Sequence, residues 1–130
     1  MKKILICDDE PHIVEGLRYL LKGPDRAITI ASNGKAALDL ALSDPPDLLI
    51  IDLMMPVMGG LETIAVLRDE DAFTKLPIII LTAKGCEEDN TAAKQLWGAI
   101  VVAKPFRPAP LRALVNNLLE GVPLPANSSI

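Results

Sequence analysis

Five short runs of unbroken apolar residues, each followed by a stretch with helical spacing, constrain this 130-residue chain more than any other feature. The runs are KILIC (Lys3–Cys7), AITIA (Ala27–Ala31), DLLIID (Asp47–Asp52), PIIILTA (Pro77–Ala83) and AIVVA (Ala99–Ala103). A strand with one wet face alternates apolar and polar residues, whereas continuous Ile, Val and Leu imply cover on both faces, as in a parallel sheet. Between the runs lie helix candidates. PHIVEGLRYLLKG opens on a proline, ends at Gly23-Pro24, and puts Ile13, Leu17, Leu20 and Leu21 on one face. KAALDLALS stops before DPPD, and GLETIAVLRDE carries Leu61, Ile64, Ala65 and Leu67 or Arg68 at helical spacing. EEDNTAAKQLWG has a stripe of Ala92, Ala93 and Leu96, and PAPLRALVNNLLEG stops at Gly121. Successive βα units predict an α/β fold with a doubly wound parallel sheet and helices on both faces. Right-handed crossovers leave only a few topologies.

Half of the residues are hydrophobic, enough for a real core in one domain, expected over residues 1–121. VPLPANSSI, residues 122–130, reads as a flexible tail. A formal charge of −4 argues against direct binding to nucleic acid or an anionic membrane, both of which favour basic surfaces. Cys7 and Cys86 are too few for a disulfide framework and lack metal-ligand spacing, so free thiols in the cytoplasm are expected. In MKKILICDDE, acids follow the apolar run at once, unlike a signal peptide, and no apolar run is long enough to cross a bilayer.

In such a fold, ligands gather at the carboxyl ends of the strands. The first run is followed there by Asp8, Asp9 and Glu10; the third ends at Asp52, the fourth reaches Thr82, and Lys104 follows the fifth. One acid ending a strand is ordinarily a turn residue or a helix N-cap. Acids, a hydroxyl and an amine converging at four strand ends exceed anything the hydrophobic pattern requires, and they mark a functional site.

The motifs ILICDDEP, DLLIIDLMMPVMGG, PIIILTA and KPF, in this order and spacing, make the chain resemble a response-regulator receiver domain of two-component signalling, over roughly Lys2 to Gly121. The resemblance implies a flavodoxin-like fold with strand order 2-1-3-4-5 and five helices. It implies Asp52 as phosphoacceptor, Thr82 as switch hydroxyl and Lys104 as the phosphate-contacting lysine. The acidic pair Asp8 and Asp9, with Asp52 and the backbone carbonyl of Met54, would hold Mg²⁺ or Mn²⁺, most directly through Asp9. A histidine kinase or histidine phosphotransfer protein would donate the phosphoryl group, and a downstream protein of unknown identity would read the result. Such a domain is a signalling phosphoacceptor and catalyses only its own phosphorylation and dephosphorylation.

The chemistry suits these residue types. An ionised Asp52 can attack phosphorus to form an acyl phosphate. Crowded carboxylates disfavour each other's ionisation, which a hard divalent cation with oxygen ligands offsets. The transferred group spreads charge over three equatorial oxygens, which the metal, Lys104 and Thr82 with nearby backbone N–H groups can share. Small Ala83 would leave the approach to Asp52 open.

Other residues have plainer readings beside functional ones. Glu10 either touches metal-bound water or favours a helix N-terminus, and both stay open. His12, the only histidine, is expected at the surface of the first helix rather than in a phosphorelay. Cys7 reads as a small core residue. Met54, Met55 and Met58 read as packing in a loop shaped by Pro56 and Gly59-Gly60, not as a soft-metal site. Trp97 is either a core plug or part of a partner surface. Receivers usually carry Tyr or Phe where this chain has Val101, GAIVVAKP looks one residue short, and Gly59 replaces a frequent Asp. With no ring at Val101, activation is expected to move Thr82 to Asp89 while Val101 changes little.

Competing classes fit less well. A haloacid-dehalogenase-like phosphatase would carry its nucleophile in a D-x-D run after the first strand, where this chain has adjacent Asp8 and Asp9. A flavodoxin-like binder would need a Ser/Thr/Gly-rich phosphate loop where three acids stand. A docking module with atypical switching would typically lack a key residue. A stand-alone regulator acting by protein contact is expected, with a fragment of a larger response regulator or hybrid kinase as the alternative.

Overall fold

The computed structural model describes residues 1–82 and 98–121. Five strands form one sheet: β1 (Lys2–Cys7), β2 (Arg26–Ala31), β3 (Leu48–Asp52), β4 (Ile78–Thr82) and β5 (Ile100–Ala103). Their order is β2-β1-β3-β4-β5, and every neighbouring pair is parallel. Four helices are described, α1 (Pro11–Leu21), α2 (Gly34–Ser43), α3 (Gly60–Arg68) and α4 (Pro108–Glu120), with a 3₁₀ turn at Asp71–Phe73. The helix expected over EEDNTAAKQLWG, Ala83 and Trp97 lie outside the described residues, as does the tail after Gly121.

Continuous strand hydrophobicity is divided between two cores. Ile4 and Ile6 of β1, Leu48 and Ile50 of β3, and Ile79 and Leu81 of β4 face one side, with Leu17 and Leu21 of α1 and Leu111, Leu114 and Val115 of α4. Leu5, Cys7, Leu49, Ile51, Ile78 and Ile80 face the other, with Ala37 and Ala41 of α2 and Ile64 and Leu67 of α3. Successive side chains of a strand point to opposite faces, so each strand feeds both layers.

Helix ends follow local chemistry. Asn33 caps α2 by accepting the Ala36 N–H at 2.8 Å. Pro11 and Pro108 begin α1 and α4, and Gly121 ends α4 at φ +73°, the left-handed region that suits glycine. The buried stripes differ from the expected ones. In α1 the buried residues are Val14, Leu17 and Leu21, while Ile13 and Leu20 are only partly covered. In α3, Thr63 is buried beside Ile64 and Leu67, while Leu61 is only partly buried. A polar residue is tolerated there because the Thr63 hydroxyl donates to the Gly59 carbonyl at 2.8 Å.

The start of α3 is pressed onto the end of β3. The Gly60 N–H donates to the Leu53 carbonyl at 3.0 Å, and a Cβ on Gly60 would sit 2.4 Å from the Asp52 carbonyl oxygen. Only glycine allows that approach. Gly16, inside α1, has nothing within 4 Å of an added Cβ. Gly60→Ala is therefore expected to cost about 2 kcal/mol by overpacking, and Gly16→Ala to add about 1 kcal/mol through helix propensity. Urea unfolding of the two variants beside the parent measures both, and equal signs would contradict the packing described.

Candidate functional site

Parallel pairing brings the strand ends into line. Cys7 pairs with Ile51, Asp52 with Leu81 and Thr82 with Ala103, so the residues at and just after these positions meet at one edge. Asp8, Asp52 and Thr82 are buried there, with exposures of 3%, 5% and 2%. The Lys104 backbone N–H donates to the Thr82 carbonyl at 2.8 Å, tying the ends of β4 and β5.

The Lys104 side chain occupies the middle of the site. Its ammonium donates to Asp8 Oδ2 at 3.0 Å, Glu10 Oε1 at 3.2 Å and Asp52 Oδ2 at 3.2 Å, with only 12% of the side chain exposed. An ammonium has three N–H donors, and three carboxylates are present to accept them. Asp52 Oδ1 also accepts the Met54 N–H at 3.3 Å, and Asp8 Oδ1 accepts the Glu10 N–H at 2.9 Å. Burial pushes the Asp52 carboxyl above its ordinary pKa, and the Met54 N–H and Lys104 only partly oppose this. Burial works against the Lys104 charge, yet the hydrogen bond to Asp8 and the charges of Asp8 and Asp52 outweigh it and raise its pKa. Three anions around one cation leave an excess of negative charge.

The predicted site residues divide accordingly. Asp8, Asp52 and Lys104 are in direct contact, and Thr82 is at the same edge. Oxygens of Asp8, Glu10 and Asp52 lie within 4.8 Å of one another, whereas Asp9 is exposed and outside that group among the described residues. Glu10 is the N-cap residue of α1 without a side-chain cap bond, and its Oε1 accepts from Lys104, a contact that neither of its two sequence readings named. The backbone bends at Asp9, and the Glu10 N–H turns back to Asp8 Oδ1, a local turn that the run of three acids does not reveal in the sequence. His12 is at the surface, with Nε2 3.5 Å from Glu10 Oε2. Met54 exposes 67% of its surface, whereas Met55 and Met58 pack against the core shared by α2 and α3. Val101 is partly buried against the same core.

A family model described as the response regulator receiver domain matches residues 4–116. The chain belongs to that family. Among curated relatives, this receiver domain is 37% identical to the alkaline phosphatase synthesis transcriptional regulatory protein PhoP of Bacillus subtilis, over 98% of this chain and 52% of PhoP. It is 38% identical to the sensor histidine kinase TmoS of Ectopseudomonas mendocina, over 91% of this chain and 12% of TmoS. It spans about half the length of the first curated relatives it matches. The solved receiver domain of the Francisella response regulator 1452 superposes with a TM-score of 0.83 at 28% identity, covering 95% of this chain and all of that one. Among the described residues, no helix of the receiver domain is long and apolar enough to cross a membrane.

Cys7 is fully buried, with its thiol 3.3 Å from the Asn33 carbonyl and 3.2 Å from the Met55 sulfur. Burial, reinforced by the charges of Asp8, Asp52 and Asp9, pushes that thiol up to about 12. In a Cys86→Ser chain, Cys7 should stay unlabelled by a disulfide reagent at pH 8 until denaturant is added; rapid native labelling would contradict its placement. The raised Asp52 pKa gives a second expectation. A folded carboxyl that holds its proton more tightly than the unfolded one lowers stability as pH rises through its folded pKa. Metal-free Asp52→Asn should therefore melt higher than the parent at pH 7, with the gain fading below pH 4, where Asp52 is protonated in both states.

Proposed function

We propose that this receiver domain accepts a phosphoryl group on Asp52 in a reaction that needs Mg²⁺ or Mn²⁺. The observation that carries the reading is the buried Asp52 carboxylate held by Lys104 at 3.2 Å beside Asp8, within the family's fold. The donor is a histidine kinase, a histidine phosphotransfer protein or a small acyl phosphate. An Asp52 oxygen forms the new O–P bond as the donor's N–P or O–P bond breaks, and the electron pair of the broken bond stays with the donor. Only the domain's own phosphorylation and dephosphorylation are catalysed. Signalling then passes to a downstream protein.

The donor set suits a hard dication. Its groups are carboxylate oxygens in an anion-rich pocket, the ligands that Mg²⁺ and Mn²⁺ prefer. Asp8 and Asp52 would hold the ion, with Asp9 and the Met54 carbonyl proposed to complete its protein ligands. When bound, the ion supplies charge neutralisation for the transferred group. Lys104 supplies a second cation from the end of β5, and Thr82 a hydroxyl at the same edge. The Asp52 ring of neighbours thus prepares an anion-binding site that the three carboxylates alone would repel.

Two whole-protein contexts are compatible with these relatives, since PhoP is named a transcriptional regulatory protein and TmoS a sensor histidine kinase. In either, Asp52 is the proposed point at which the signal enters. Incubation with acetyl phosphate and Mg²⁺ should add the mass of one phosphoryl group to the intact domain. Asp52→Asn should abolish the addition, and Lys104→Ala should leave metal binding in place while weakening the response to phosphorylation. Label retained in Asp52→Asn, or found on His12, would overturn the reading.

A further inference from the structure

Resting on that reading, we infer that Glu10 is a positioning residue that keeps the Lys104 ammonium paired when a divalent cation occupies Asp8 and Asp52. The contacts of Lys104 carry the argument. Its ammonium is held by Asp8, Glu10 and Asp52, and of these three only Glu10 lies outside the ligand set proposed for the dication, Asp8, Asp9, Asp52 and the Met54 carbonyl.

The two classes of cation compete for the same oxygens. Lys104 now shares the buried carboxylates Asp8 and Asp52, the groups that face the proposed metal position. A dication drawing on those oxygens would face a largely buried ammonium with its best partners taken. Glu10 resolves the conflict because its side chain is half-exposed and its two oxygens face different neighbours. Oε1 holds Lys104 at 3.2 Å, and Oε2 is turned towards His12 at 3.5 Å. Water can solvate whichever oxygen is released, so Glu10 can strengthen its hold on Lys104 without a buried anion being stranded. Glu10 then acts on the metal through Lys104 and is not itself a ligand. Without it, Lys104 and the dication would repel each other across a weakly solvated pocket.

Calorimetric titration of the full chain with MgCl₂ tests this. Glu10→Gln keeps the side chain's shape and should weaken Mg²⁺ binding about tenfold, the effect of one charge at this range in a partly screened site. Glu15→Gln, an equal charge change on the exposed side of α1, should alter it less than about twofold. Nitrogen-15 spectra of the Lys104 ammonium give an independent readout. Metal-free Glu10→Gln should retain the slowly exchanging Lys104 signal, because Asp8 and Asp52 still hold it, and should lose that signal when Mg²⁺ is added. The parent should keep it in both states. Parent-like Mg²⁺ affinity in Glu10→Gln overturns the inference. So does weaker affinity with an unchanged Lys104 signal, which would make Glu10 a direct ligand. Asp52→Asn separates the two levels: if it binds Mg²⁺ as the parent does, the receiver-site reading fails as well; if it binds more weakly while Glu10→Gln matches the parent, only the role of Glu10 falls.

Discussion

The Lys104 ammonium is the contact on which the carboxyl edge of the sheet depends. Asp8 and Asp52 are nearly inaccessible to water, and a buried carboxylate without a partner is costly. Lys104 crosses from the end of β5, past β4 and β3, to the residues that follow β1, and so links the ends of non-adjacent strands. Such a buried pair adds little net stability, because desolvation consumes most of the attraction, but losing Lys104 would strand the buried carboxylates. What the arrangement secures is geometry. Asp52 remains beside a cation, although its burial outweighs that attraction and keeps its pKa raised.

The layout of the fold was legible because burial on both faces leaves a simple trace. Strands such as LLIID and IIILT are apolar up to their last residue, where Asp52 and Thr82 stand at the site. Which strand residue faces which core follows from alternation alone. Helix faces were read less well, for physical reasons. In α1, Ile13 and Val14 are adjacent and both apolar, so composition does not distinguish them, and it is Val14 that is buried. Thr63, absent from the expected stripe of α3, can be buried because its hydroxyl finds its partner one turn back, within the helix itself. No hydrophobic periodicity records that bond.

The acids show the same contrast. Three consecutive acids announce a site, but composition says nothing of their directions. The chain bends at Asp9, so that Asp8 and Glu10 meet Lys104 while Asp9 is exposed. The methionines are also divided by geometry. Met55 lies against the Cys7 sulfur, Met58 accepts the Gly34 N–H on its backbone carbonyl, and Met54 stands in solvent. The turn between them holds Val57 at φ +69°, a conformation that β-branched residues seldom adopt, with 82% of its surface exposed. That strained turn stands beside the site, between Asp52 and Gly60, the glycine whose close approach to β3 begins the following helix.

Val101 bears on how the state of Asp52 could reach the rest of the domain. A Tyr or Phe there would offer a large ring to fill space as neighbouring groups shift, and Val offers a fraction of that area with one stiff torsion. The segment from 83 to 97 lies outside the described residues, so the connection visible here is through the backbone. The Lys104 N–H is bonded to the Thr82 carbonyl, and the Lys104 side chain is bonded to Asp52. A new charge on Asp52 would therefore act on the Lys104 ammonium, whose own backbone N–H is bonded to the Thr82 strand end. A core valine transmits little by changing rotamer, whereas a hydrogen-bonded pair of strand ends transmits displacement directly. In a chain with Val101, the lysine is thus placed to be both the counter-ion of the site and the mechanical connection between β4 and β5.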